Sequence, residues 1–340
     1  MTMQDASTHK IVTFGEVMMR LSPPGHQKFS QASSLDLTFG GGEANVGISL
    51  AYFGLNACHV TRFPDSMIGQ AATQYFRKLG LDTSQVSYGG RRMGSYFLEQ
   101  GASHRASVVV YDREDSAFAS LDPDALDWKE ILKGANWFHW TGITPAIAQG
   151  TAAALARAIT VANELGIRVS ADVHSRSTLW QYGKLPEEVL PELIAGTDVV
   201  IASAHDLAGL YTSIQEEDDL KTITQKLKEL CPRVQLVVDK DREIISASNN
   251  RIRGKMWHEG QMLYTRFYDI DLIVDRVGTG DAFAAGLIYG LLSFESKQQA
   301  LDFATAACVL KHTIPGDANL VSSEEVLSLA SGLSTGRIKR

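Results

Sequence analysis

Two glycines and a carboxylate stand together in Asp275-Arg-Val-Gly-Thr-Gly-Asp-Ala-Phe-Ala-Ala-Gly286, where a loop runs into a helix. Phe283, Leu287, Gly290 and Leu291 follow at helical spacing, so Gly278, Thr279 and Gly280 are predicted to form the entry turn. Asp281 then lies in the first helical turn. Backbone N–H groups at such an entry have no intrahelical acceptor, and the helix dipole adds partial positive charge there. Glycine lets an anion come close to the chain. A turn of this kind can stabilise the charge that develops on a moving phosphoryl group, and a neighbouring carboxylate can accept a hydroxyl proton. The four residues Gly-Thr-Gly-Asp by themselves also fit a tight turn with an acidic helix cap.

A second glycine turn occurs in Phe39-Gly-Gly-Gly-Glu-Ala-Asn-Val-Gly-Ile-Ser-Leu50, where Ala44, Ile48, Ala51 and Leu55 form one apolar helical stripe. Before it, Ile11-Val-Thr-Phe-Gly15 reads as a first strand, with Glu16 following. The 275–286 string closely resembles the signature of ribokinase-like carbohydrate kinases, the PfkB family, and the 39–50 string resembles that family's N-terminal glycine motif. The resemblance implies that Asp281 is the catalytic base and that Gly278, Thr279 and Gly280 form the anion hole. It also implies that the backbone of Gly41 and Gly42, the side chain of Asn45 and the residue at Glu16, usually Asp in sugar kinases, contact the sugar.

The composition is compatible with such an enzyme. With 340 residues and 44% hydrophobic content, the chain can bury a large core. Acidic residues outnumber basic ones, 39 to 32, so nothing draws the chain to nucleic acid or to an anionic membrane surface. Cys58, Cys231 and Cys308 lack metal-ligand spacing and fit reduced thiols. The polar start has no signal-peptide core and no segment is long enough to span a membrane, so a cytoplasmic protein is expected.

These residues need a scaffold, and strand-like runs alternate with helical ones along the chain. Trp137–Gly142, Ile167–Val173, Asp198–Ile201 and Val234–Val238 read as strands and Thr151–Leu165 as a helix. This rhythm predicts an α/β fold with a mostly parallel sheet covered on both faces, and ligands at the carboxyl ends of the strands. Under the resemblance it is a ribokinase-like three-layer α/β/α sandwich spanning 9–330. Segments 16–39 and 88–118 break the rhythm with short strand-like runs and polar turns, and are predicted to form a small β-sheet lid. Residues 1–8 and 331–340 are expected to be flexible tails. In the resembled family the lid covers the sugar and often serves as a contact between copies, which implies a homo-oligomer.

Tyr96–Arg105, Val110–Arg113, Trp137–Pro145 and Lys311–Asp317 resemble 2-keto-3-deoxygluconate kinases more than ribokinase or fructokinase. The expected reaction is transfer of the γ-phosphoryl group of ATP to the terminal hydroxyl of 2-keto-3-deoxygluconate. A carboxylate removed from water needs cationic and hydroxyl donors, and Tyr96, Tyr111, Arg113 and Arg176 are the candidates. The nucleotide is expected at Ser203, Lys240, Gly278, Gly280, Lys311, His312 and Asn319, magnesium near Asp206, and the resemblance implies potassium near Asp275 and the Lys311–Asp317 loop. Departures from the family pattern keep two alternatives open. Ala202-Ser-Ala-His-Asp206 lacks the usual Asn and Glu, His174 replaces Asn, and Val238-Asp-Lys-Asp-Arg242 replaces the usual start of the nucleotide segment, where Lys240 also fits an exposed turn. One alternative is a sugar-acid-binding sensor or regulatory protein with weakened catalysis. The other is a kinase of a neutral ketose such as fructose.

Overall fold

The computed structural model describes residues 8–176 and 178–333. Most of the two expected tails, residues 1–7 and 334–340, lies outside them. In chain order the first strands are β1 (Lys10–Phe14), β2 (Met18–Ser22), β3 (Asp36–Gly40), β4 (Asn56–Phe63), β5 (Val86–Tyr88), β6 (Gly94–Glu99) and β7 (Val108–Asp112). They are followed by β8 (Ala135–Thr141), β9 (Arg168–Asp172), β10 (Val199–Ile201), β11 (Leu236–Ser246), β12 (Asn249–His258), β13 (Gln261–Tyr264) and β14 (Tyr268–Ile270).

The main sheet has the order β13-β12-β11-β10-β9-β8-β1-β4-β5, with β14 also paired to β12. From β11 to β5 every pairing is parallel. Parallel strands need helical crossovers on both faces, so their side chains are apolar in both directions. The chain shows this residue by residue. Ile11, Trp137, Val199 and Ile201 face one buried cluster together with the helices Gly42–Tyr52, Thr279–Ser293 and Lys297–Lys311. Their immediate neighbours Val12, Phe138 and Val200 face a second cluster with the helices Gln149–Glu164 and Pro186–Ala195. The expected three layers therefore follow from the strand alternation. Cys58, Cys231 and Cys308 are free thiols buried in these two clusters.

The two lid segments join into a separate sheet of order β3-β2-β6-β7. One stretch departs from the sequence expectation. The strand expected at Val234–Val238 runs on to Ser246, and residues 238–242 are not a turn but part of an antiparallel pairing with β12. Charge pairs across the two strands hold it: Lys255 reaches Asp239 at 2.9 Å and Asp241 at 2.8 Å, and Arg253 reaches Asp241 at 2.7 Å. Such cross-strand pairs stabilise a sheet while hiding its apolar alternation from a reader of the sequence.

Helix Thr279–Ser293, which carries Asp281, packs closely on Lys297–Lys311. A side chain at Gly290 would begin 2.6 Å from the Ala300 backbone. Gly290→Val is therefore expected to destabilise the fold by about 1–3 kcal/mol through overpacking, read as a lowered urea midpoint with an unchanged m-value. An unchanged midpoint would show that this contact is not tight.

Candidate active site

The Asp281 carboxylate sits where two glycine turns meet. Gly278 caps the Thr279–Ser293 helix in a left-handed conformation, φ 80°, and a Cβ there would lie 1.8 Å from the Asp317 carbonyl oxygen. Only glycine fits both requirements. The turn aims the helix start at the cavity, and among the described residues the N–H groups of Gly280 and Asp281 have no hydrogen-bond acceptor. Asn45, in the first turns of the Gly42–Tyr52 helix, donates through Nδ2 to Asp281 Oδ2 at 2.7 Å. Gly42 leaves room beside the carboxylate, since a Cβ there would stand 3.7 Å from Asp281 Oδ1. Burial pushes the Asp281 carboxyl up to about 7, against the Asn45 hydrogen bond, with Asp172, Asp317 and Glu43 adding repulsion. A carboxyl in that range suits proton abstraction near neutral pH.

Around this pair lies a cavity of about 640 Å³. It brings together Gly41, Gly42, Asn45, Tyr96, Tyr111, Arg176, Ser203, Asp206, Lys240, Gly278, Thr279, Gly280 and Asp281 from the sequence-based candidates. Met18, Tyr96, Val109 and Tyr111 reach it from the small sheet, so that sheet does cover one side. Arg242, Arg276 and Asp317 also line it; sequence reasoning assigned no role to the two arginines and gave Asp317 only a place in the loop expected to hold potassium. Arg276 lies inside the 275–286 string, next to the turn, and is held by Asn250 Oδ1 at 2.9 Å and the Ala247 carbonyl at 3.2 Å.

Six candidates lie elsewhere. Glu16 and Arg113 do not line the cavity; they form an ion pair with each other, and the Glu16 carboxylate also accepts from Ser116. A carboxylate from the core neutralises the expected substrate clamp, and Arg113 instead stands 5.9 Å from the Tyr111 ring. Lys311, His312 and Asn319 are fully buried behind the turn rather than in the cavity. The Lys311 ammonium donates to the Ile314 carbonyl at 3.0 Å, and His312 Nδ1 bonds the Cys308 carbonyl at 2.8 Å. Burial drives both groups towards their neutral forms, which suits packing rather than nucleotide contact. The Asp275 carboxylate is taken by a guanidinium, Arg20 Nη2 at 2.6 Å, and by the amides of Val277 and Gly316, each at 3.0 Å. The cation at Asp275 is thus part of the protein.

At the opposite wall His174 stands between two carboxylates, with Nε2 3.2 Å from Asp172 and Nδ1 3.7 Å from Asp206. Asp172, opposed by the burial of the ring, raises the imidazole pKa well above its ordinary value, so the ring is charged at neutral pH. Burial works against the Asp172 anion, yet His174 holds that carboxyl well below the usual range. Ser203 caps the short helix by accepting from the Asp206 amide at 3.2 Å, and the Asp206 carboxylate reaches back to accept from the Ser203 hydroxyl and amide. Ser203 and Asp206 are thus joined in a helix cap at the cavity wall. His205 points away, exposed and bonded to Glu216.

A doubly covered parallel sheet, a small sheet roofing its ligand edge, and a glycine turn beside a half-buried carboxylate define a ribokinase-like carbohydrate kinase. Residues 8–322 match the pfkB family carbohydrate kinase model, and the chain belongs to that family; it is a phosphotransferase acting on a sugar hydroxyl. It is 30% identical over 97% of its length to 99% of a 2-dehydro-3-deoxygalactonokinase of Haloferax volcanii. It is 27% identical over 90% of its length to 89% of a 2-dehydro-3-deoxygluconokinase of Thermoproteus tenax. Its fold matches the crystal structure of a 2-dehydro-3-deoxygluconokinase of Thermotoga maritima, with TM-score 0.88, 42% identity, and coverage of 95% of this chain and all of that one.

The raised carboxyl has a consequence for stability. An Asp in the unfolded chain titrates near ~4, so the folded protein holds the Asp281 proton more tightly. That contribution is full below the unfolded value and is lost as pH rises through about 7. Asp281→Asn removes the cost of ionisation, and it is expected to raise the melting temperature over wild type at pH 8 but not at pH 5. Equal shifts at both pH values would contradict the raised carboxyl.

Proposed function

We propose that this kinase transfers the γ-phosphoryl group of ATP to the terminal hydroxyl of 2-keto-3-deoxygluconate. The observation that carries the proposal is the Asp281 carboxylate, oriented by Asn45 at 2.7 Å and adjoining amides that have no acceptor among the described residues. Asp281 takes the proton of the attacking hydroxyl, and the N–H groups of Gly280 and Asp281 meet the negative charge on the transferring group. No covalent enzyme intermediate is needed.

Relatives named for 2-dehydro-3-deoxy sugar acids support the acid as acceptor. Within the cavity, Arg176 is an exposed guanidinium with no ion-pair partner among the described residues, whereas Arg113 is paired to Glu16. We therefore assign the substrate carboxylate to Arg176, with the Tyr111 hydroxyl beside it. Lys240, Arg242 and Arg276 also line the cavity and suit a polyphosphate. Among the described residues no group of three or more His, Cys, Asp or Glu could hold a metal ion. That fits a magnesium ion carried mainly by phosphates and water, with Asp206 nearby, neutralising phosphate charge. On this reading the enzyme works in the cytoplasm, which its use of ATP and its free, buried cysteines support. Strand β7 leaves an outer edge with Val108, Val109, Val110 and Tyr111 exposed, and we place a contact between copies of the chain there.

A coupled ADP-release assay with magnesium is expected to show turnover on 2-keto-3-deoxygluconate, tested beside its galactonate epimer and neutral ketoses. Asp281→Asn is expected to lower kcat by about 100-fold or more with sugar-acid binding retained. Because the base must be ionised, kcat/KM should fall as pH drops below about 7. Sugar-acid binding without turnover on any acceptor would instead support the weakened sensor. Arg176→Met is expected to raise KM for the acid by about 10-fold or more and to leave KM for a neutral ketose unchanged. Equal losses on both substrates would remove Arg176 from acid recognition.

A further inference from the structure

The lid strand β2 sends one side chain deep into the core. Arg20 is 4% exposed, and its guanidinium bridges Asp275 at 2.6 Å through Nη2 and Asp317 at 2.7 Å through Nη1, while Nε donates to Ser22 at 3.1 Å. The two carboxylates are each 3% exposed and belong to different loops. Asp275 opens the anion-hole turn, and its Oδ1 accepts from the Val277 amide inside that turn. Asp317 presents its carbonyl oxygen to the Gly278 backbone, so tightly that a Cβ there would lie 1.8 Å away. The loops are tied to each other as well, since the Gly316 amide donates to Asp275 Oδ2 at 3.0 Å and the Val274 amide to the His312 carbonyl at 2.8 Å. Tyr96, paired with Arg20 across strands β2 and β6, donates its hydroxyl to Asp317 Oδ2 at 2.6 Å.

Two buried anions on opposing loops repel each other, and their burial is costly without a cation between them. A guanidinium has the planar fork that satisfies both at once. We propose that Arg20 is a positioning residue of the phosphoryl-transfer site: a built-in cation that fixes the Gly278–Asp281 turn through Asp275 and Asp317, in the place where the family resemblance implies a potassium ion. The inference rests on the kinase reading for its activity assays, but not for the state of the turn. Arg20 touches neither reacting group; it acts through the loops. Because it stands on the lid, seating of the lid and shape of the anion hole are linked.

The test uses the full chain. Wild-type kcat is expected to be the same within twofold in potassium, sodium and tetramethylammonium chloride. Arg20→Ala should lower kcat by about 100-fold with the sugar-acid KM changed less than threefold, as expected of a turn that acts in the transition state. Millimolar guanidinium or potassium should restore at least a tenth of the loss by entering the space between the carboxylates. Amide hydrogen exchange over 275–282 should be faster in the variant and slowed again by guanidinium, a readout that stands even if no acceptor is phosphorylated. Should Arg20→Ala fail to fold, Arg20→Lys keeps a charge but loses the fork, and a fall in kcat with KM held is expected. Strong potassium activation of the wild type would overturn the proposal. So would unchanged kcat in the folded variants, or unchanged exchange in the turn.

Discussion

Everything in the site depends on holding a carboxylate against a cluster of unpaired amides, an arrangement that the fold must support because water cannot. Asp281 lies at a helix start whose dipole favours an anion, yet its surroundings remove solvent and add the repulsion of Asp172, Asp317 and Glu43. The Asn45 hydrogen bond opposes these effects. The balance leaves a carboxyl that titrates near neutrality, basic enough to accept a proton and still able to ionise. Two helices from opposite ends of the chain must start side by side for this to happen, and the glycines at their starts let other loops close in, Glu16 against Gly41 and Asp317 against Gly278.

The same constraint explains the charged groups behind the turn. Asp275, Asp317 and Arg20 are all almost fully buried, a costly set that is tolerated because the guanidinium stands between the two carboxylates. Their burial contributes little to stability compared with apolar packing, but it ties the anion-hole loop, the 311–317 loop and the lid to one geometry. An apolar replacement could pack as well without specifying that geometry.

The sequence made the glycine turns legible because their meaning is local: spacing within 275–286 and 39–50 sets the turn, the helix phase and the position of Asp281. Apolar runs likewise marked the parallel strands β1, β8, β9, β10 and the start of β11, and the lid segments stood out as breaks in that rhythm, but β4 and β5 were not read as strands. Pairings between distant residues left no such trace. Arg20 is separated from Asp275 and Asp317 by 255 and 297 positions, and Arg113 from Glu16 by 97, so spacing could not reveal which charges were already neutralised. Lys311 and His312 looked like ligands because polar residues near a motif usually face solvent or substrate; here both are buried and bonded to backbone carbonyls. Residues 238–242 looked like a turn because cross-strand charge pairs replaced the apolar pattern.

The charge of the cavity gives a further step. Its walls carry five acids, Asp172, Asp206, Asp239, Asp281 and Asp317, and five bases, His174, Arg176, Lys240, Arg242 and Arg276. With the ring of His174 charged, the two sets nearly cancel, so the wall has little net charge with which to receive a nucleotide of several negative charges together with an acidic sugar. A nucleotide on this reading must therefore enter with its own counter-ion, and selection between sugar acid and neutral sugar falls to local placement of single groups rather than to the overall field. His174 fits that arrangement. It is a cation that two carboxylates already neutralise, so it orders the wall formed by Asp172 and Asp206 without adding attraction for phosphate. The departures at 174 and 202–206 then belong together: the ring at 174 stands between Asp172 and Asp206, and it favours the ionised form of both, with Ser203 adding to the effect on Asp206 and Lys240 to that on Asp172.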